Sequence, residues 1–244
     1  MDLTTLTADV VFDGGDLDCG SGLALLIREH MLRVPIGGLL EVRSRERTVG
    51  DDLPPWCRVS RHEYLGSLPL DDVTTRYFVR RGADSAADAE ALERDRAKSR
   101  SYEWRVRGRA SGPMRSTIYC RNLSFPVGQP ASFEERDEAP SAVEDALGAL
   151  VGAVLAGFAA ECSRDGLTLD DLEATAKGRL AEPLAVVGGG EGDPSFARIE
   201  LTCYASTFAD EAGVRAAWAR TVARSPLAAT LRKATQLELR LAIV

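Results

Sequence analysis

Phe12–Met31, FDGGDLDCGSGLALLIREHM, is the stretch on which the reading of the chain turns. A glycine-rich turn leads to Cys19. Leu23, Leu26, Ile27, Met31 and Val34 then recur at the i, i+3, i+4, i+8 spacing of one helical face. Cys19 is therefore expected at or just before a helix N-terminus. Unpaired amide groups and the positive end of the helix dipole favour a thiolate there, which makes this thiol the first candidate for a reactive atom. The competing reading is a small buried residue in a turn.

Outward from this stretch, Thr7–Asp13 alternates as a first strand ending at Gly14–Gly15. The helix is expected to run to about Arg33 and stop before Pro35. Leu39–Ser44 reads as a second strand. Pro54 and Pro55 suit the first turn of a short helix carrying Trp56, Cys57 and Val59. Tyr64–Leu68 and Val73–Arg80 form two more strands around the turn Leu70–Asp71–Asp72. The order β-α-β-α-β-β predicts a two-layer sandwich within an α+β chain.

This order, with FDGGDLDCGSG (12–22), PPWCR (54–58) and HEYLGSLPLDDVTTRYFVRRG (62–82), resembles the TusA/SirA sulfur-carrier proteins. The family signature is L-D-x-R-G-L-x-C-P-x-P before a helix. On that match Asp13 and Leu17 agree, and Cys19 takes the place of the cysteine that carries sulfur as a persulfide. The family arginine is replaced by Gly15, and both prolines by Gly20 and Gly22. The family often has a cysteine where Cys57 stands, and a Cys19–Cys57 disulfide is an open possibility that spacing does not decide. The resemblance implies a sulfur-donor protein as partner and no cofactor.

Ala83–Arg100, ADSAADAEALERDRAKSR, is rich in alanine and charge with no apolar face, and is expected to be a linker. The expected organisation is therefore residues 1–82, a linker at 83–100, and a second domain at 101–244. In that second domain the alternation around Trp104–Ala110 predicts a strand, returning through a Ser111–Gly112–Pro113 turn as Arg115–Arg121. Phe125–Phe133 reads as extended. Pro140–Ser141 opens a long helix to about Arg164, apolar nearly all round and so expected to be buried. Leu169–Lys177 and Ala197–Ala205 read as strands. The glycines at 188–190 and 192 lack the Gly-Lys-Ser/Thr ending of a phosphate loop and are read as a hairpin connection. Asp210–Arg224 reads as a helix with Val214, Trp218 and Val222 inward, and Leu237–Ile243 as a final strand.

The segments PSAVEDALGA (140–149) and ARSPLAATL (223–231) resemble the OsmC/Ohr family, thiol peroxidases that reduce organic hydroperoxides and form intertwined dimers. The resemblance implies a homodimer through this domain. In that family the peroxidatic cysteine lies ten residues after the motif glutamate. Here Glu144 matches the glutamate and Val154 stands ten residues on, while Ser225, before Pro226, occupies the place of the second cysteine. A residual pocket would comprise Glu144, Val154, Ser225, Arg107 and Arg109. A peroxidase is thus disfavoured, and an apolar ligand at the dimer seam is the alternative. Glu144 also has a simpler role, as an acid in a first helical turn.

The formal charge of −7 argues against a nucleic-acid partner. Met1–Val11 lacks the basic start of a secretory signal, and the apolar run Ala146–Ala160 reads as too short to span a bilayer. Five cysteines without a CxxC pair are expected to be reduced thiols in a cytoplasmic protein. Cys120 and Cys203 fall in phase with apolar strand neighbours and read as core. With His30 and His62 as the chain's two histidines, no metal site is expected. Three functions follow: a sulfur carrier using Cys19 beside a redox-inactive OsmC-like domain, a hydroperoxide reductase-related protein of the oxidative stress response, or a non-catalytic binding protein.

Overall fold

The structure, a computed structural model, describes residues 3–19, 22–83, 85–133 and 138–244, with residues 85–88 described by backbone alone. It divides into two compact units, Met1–Glu103 and Trp104–Val244.

In the first unit β1 (Val10–Asp13) runs parallel to β2 (Leu39–Ser44), and the antiparallel pair β3 (Glu63–Pro69) and β4 (Thr75–Arg80) completes a sheet of order β1-β2-β4-β3. Helices α1 (Leu23–Met31) and α2 (Val49–Val59) connect the strands, which gives the β-α-β-α-β-β order read from the sequence. Leu23, Ile27 and Met31 of α1, at most 1% exposed, pack with Leu40 and Val42 of β2 and Tyr77 and Val79 of β4. The expected turn forms, with Asp71 accepting hydrogen bonds from the amides of Val73 (2.9 Å) and Thr74 (2.7 Å).

Two expectations are corrected here. Pro54 and Pro55 lie inside α2 and not in its first turn. Val49, Leu53 and Cys57 share one buried face at i, i+4, i+8, and this extends the helix upstream despite the two amides that proline removes. The segment read as a linker forms α3 (Ser85–Arg100) within the first unit, so the division falls after Glu103. Leu92 of α3 is 3% exposed, Asp95 pairs with Arg28 of α1 at 3.0 Å, and Arg96 reaches Glu29 at 3.8 Å. One leucine and two charged pairs hold α3 without any repeating apolar pattern.

The second unit contains two sheets. β5 (Arg107–Gly112), β6 (Arg115–Cys120) and β7 (Leu123–Val127) make an antiparallel meander. β8 (Asp171–Leu180) pairs antiparallel with β9 (Phe196–Ser206), which pairs in parallel with β10 (Gln236–Ile243). The β8–β9 connection contains a single helical turn, α5 (Pro183–Val186), and α6 (Glu211–Arg224) and α7 (Pro226–Ala234) cross from β9 to β10. The sequence reading had missed α7.

The long helix α4 (Ala142–Arg164) is 23 residues, longer than its apolar run suggested, and by length and composition alone it could cross a membrane. In the fold it is a core helix. Leu150, Val154, Phe158 and Cys162 are at most 1% exposed in a cluster with Ile199, Leu201 and Cys203 of β9 and Val214 and Ala217 of α6. The expectation of burial all round is corrected: Ala142, Ala146, Ala149, Gly152, Ala156 and Ala159 are exposed. Along α6, Val214 and Ala217 are fully buried, Thr221 is 3% exposed, and Trp218 meets Phe158 edge-on at 5.4 Å.

Glu161, 5% exposed, ties α4 to α6 through Arg220 (2.9 Å) and Arg224 (2.6 Å), and also pairs with Arg164 one turn on along α4 (2.8 Å). Burial pushes its carboxyl up, but the hydrogen bonds from Arg220 and Arg224 outweigh this and hold it below its ordinary value. Its stabilisation is therefore present above the unfolded-state value of ~4.3 and is lost as pH falls through the lower folded value. Glu161→Gln is expected to cost about 3 kcal/mol at neutral pH, since three guanidinium groups lose their counter-charge. Urea denaturation should show this gap closing in acid.

Candidate functional site

Cys19 lies in the turn between β1 and α1, half-buried against the core. Asp13 accepts from the amide of Gly15 at 2.8 Å, and Gly15 has φ 59, which suits glycine. Gly22, the N-cap of α1, has φ 103. A proline ring fixes φ near −65°, so the second proline of the sulfur-carrier pattern cannot occupy this conformation. Gly20 lies outside the described residues.

The surroundings of Cys19 oppose the thiolate form that its place before a helix would favour. The Leu23 amide donates to the Asp18 carbonyl (3.3 Å) and the Gly22 amide to that of Cys19 (3.4 Å), so the first amides at this helix end are taken by backbone. Partial burial, then the charge and hydrogen bonding of Asp52, and then the charge of Asp18 push the thiol up to about 11. Near pH 7 this leaves about 10⁻⁴ of it as thiolate. The reading missed Asp52, because α2 was expected to begin at Pro54 and its first acidic turn was not seen.

Cys57 is buried in the first unit's core and pushed up to about 12 by burial. Both Cys19 and Cys57 are free thiols, so the disulfide does not form. Cys162 and Cys203 sit buried in the second core, each pushed up to about 11 chiefly by burial. Cys120 is half-buried on β6.

The residues of the suspected pocket in the second unit have local structural roles. Glu144 completes a capping box at the start of α4. Its Oε2 accepts from the Ser141 amide (2.7 Å) and hydroxyl (2.6 Å), while its own amide donates to Ser141 Oγ at 3.3 Å. Val154 is fully buried in the core. Ser225, 6% exposed, is the N-cap of α7, its Oγ accepting from the Ala228 amide at 3.2 Å, with Pro226 at the first helical position. The guanidinium of Arg107 lies over the Tyr119 ring at 4.3 Å, and Arg109, two residues on, is exposed on the same strand. Among the described residues no group of three or more His, Cys, Asp or Glu side chains could hold a metal ion.

The comparisons agree with this second unit. Residues 135–240 match the family described as OsmC-like protein, and form an OsmC-like domain. Among solved structures, an OsmC-like protein from Mycoplasma pneumoniae superposes with a TM-score of 0.50 at 12% identity, covering 59% of this chain and 99% of that one. A hypothetical protein from Aquifex aeolicus gives 0.49 at 12% identity over 59% and 97% of the two chains. An organic hydroperoxide resistance protein from Legionella pneumophila gives 0.42 at 10% identity over 58% and 98%. At such identity the first likeness shows the fold alone. No curated protein matches the chain.

Two expectations follow. Asp52→Asn removes the stronger of the two carboxylate charges opposing ionisation, so the pH midpoint of Cys19 alkylation is expected to fall below the wild-type value of about 11 while burial keeps it above the ordinary 9.0. Ser225→Ala is expected to cost about 1 kcal/mol in urea denaturation, the usual price of a lost N-cap.

Proposed function

We propose that the OsmC-like domain is a homodimerising binding module that does not reduce hydroperoxides. The observation that carries the reading is an apolar surface left open by a single chain. The register of the meander puts Gly108, Ile118 and Phe125 side by side, and next to them Ala110 and Ser116, with Val127 at the end of this row already buried within one chain. Cys120 and Leu123 extend this face, and Arg107, Tyr119 and Ser124 lie on the other. Leu123 is 60% and Phe125 44% exposed. A three-stranded sheet gains stability by burying one face. The small-residue stripe of α4 is likewise open, and small residues permit close helix approach.

A second copy offers the same two surfaces to each other, which a two-fold interface requires. A small apolar ligand would find its place at the seam they form. Against hydroperoxide reduction stand Val154, committed to the core, and Ser225, committed to a helix cap.

Sedimentation of the full chain should give a dimer. In Gly152→Leu the added side chain starts in open space within one chain, where no atom lies within 4 Å of a Cβ at this position. It is therefore expected to leave the circular dichroism intact and yield monomer. A monomeric wild-type chain, or thiol-dependent hydroperoxide turnover by the wild type, would refute the proposal.

A second reading, sulfur carriage on Cys19, is supported by the β-α-β-α-β-β order of the first unit. It requires a donor protein that promotes ionisation of a thiol otherwise held protonated by burial and Asp52. Mass spectrometry after incubation with a persulfide donor should show one sulfur added to wild type and none to Cys19→Ser.

A further inference from the structure

A cleft of about 320 Å³ opens in the first unit between the C-terminal ends of α1 and α2 and the middle of α3. Arg28, Arg61 and Arg94 line it, together with Asp95, Ser60, Val59 and Ala91. We propose that it binds a small anion through a phosphate group, a site that neither Cys19 nor the OsmC-like domain accounts for.

The cleft lining holds more guanidinium groups than carboxylates. Three guanidinium groups face one carboxylate, and that carboxylate, Asp95, is paired with Arg28 at 3.0 Å. Arg28 has a side chain only 12% exposed and lies over the Trp56 ring at 5.5 Å, so its fork is fixed in advance. Arg94 pairs loosely with Glu90 at 3.8 Å on an exposed helix face, which leaves it able to turn towards a ligand. The hydroxyl of Ser60 is buried with no hydrogen-bond partner among the described residues, and a bound oxyanion would supply an acceptor.

Arg61 is the most informative of these residues. It follows α2 with φ 59, and the His62 amide returns to the Cys57 carbonyl at 2.9 Å, the bond that closes a Schellman turn. Glycine adopts this conformation freely, whereas an L side chain is strained in it. An arginine held here places a charge at the cleft mouth against the local backbone preference. Guanidinium groups match tetrahedral oxyanions with paired N–H donors, and the cleft is large enough for a small organic phosphate.

The test is calorimetric titration of the full chain with inorganic phosphate and with glycerol phosphate. Saturable millimolar binding is expected, weakened roughly tenfold in Arg61→Gly and in Arg94→Ala, about what one lost charged hydrogen bond costs. The Arg61→Gly melting temperature should equal or exceed that of the wild type, because glycine relieves the turn. Tighter binding of glycerol phosphate than of inorganic phosphate would identify an organic phosphate as the ligand, and equal binding the free anion. Absence of saturable binding to the folded wild type, or affinities unchanged in both variants, would overturn the proposal.

Discussion

Helix α4 constrains the second unit from both of its faces. One carries Leu150, Val154, Phe158 and Cys162 into contact with β9 and α6, and this packing fixes where every neighbouring element lies. Burying side chains of this size contributes roughly 1.5–3 kcal/mol each, so the helix cannot rotate to offer Val154 to solvent. The other face is mostly alanine and glycine and is exposed among the described residues. The large side chains of α4 thus go to the core, and the exposed positions are mostly alanine and glycine.

Charge is handled by one rule in both units. Glu41 on β2 is 2% exposed and bonds Arg43 (2.7 Å) and Arg76 (2.6 Å), much as Glu161 bonds its three arginines. In each case burial raises the carboxyl and the guanidinium hydrogen bonds outweigh it. For the shifted thiols the cationic neighbours, Arg58 near Cys57 and Arg220 near Cys162, do not outweigh burial. Cys19 has carboxylates for neighbours, and the other buried thiols lie in apolar cores, so all are held protonated. Three of the five thiols are packed in cores, and Cys19 and Cys120 are the two that are partly accessible.

Periodic segments were legible in the sequence. β2 was placed to the residue, and the start of α4 was legible at Pro140–Ser141, though the capping box that Ser141 makes with Glu144 was not. The failures share a physical cause, which is that the stabilising contacts are sparse or distant in sequence. α3 rests on Leu92 and ion pairs to α1, and neither produces a repeating pattern. α7 is too short to show a period, although Ser225–Pro226 was in plain view as a helix start. What opposes ionisation of Cys19, burial first and then Asp52, comes partly from another helix and leaves no mark in the local sequence. The openness of one face of α4 could not be read at all, since composition does not say which faces find partners within one chain.

If a second copy completes the meander and the small-residue face of α4, the stability of the meander must depend on concentration. Amide hydrogen exchange of residues 107–127, followed across a dilution series, tests this directly. Protection that rises with protein concentration while that of β9 stays constant is the predicted result. Protection of the meander that is the same at every concentration would contradict the account.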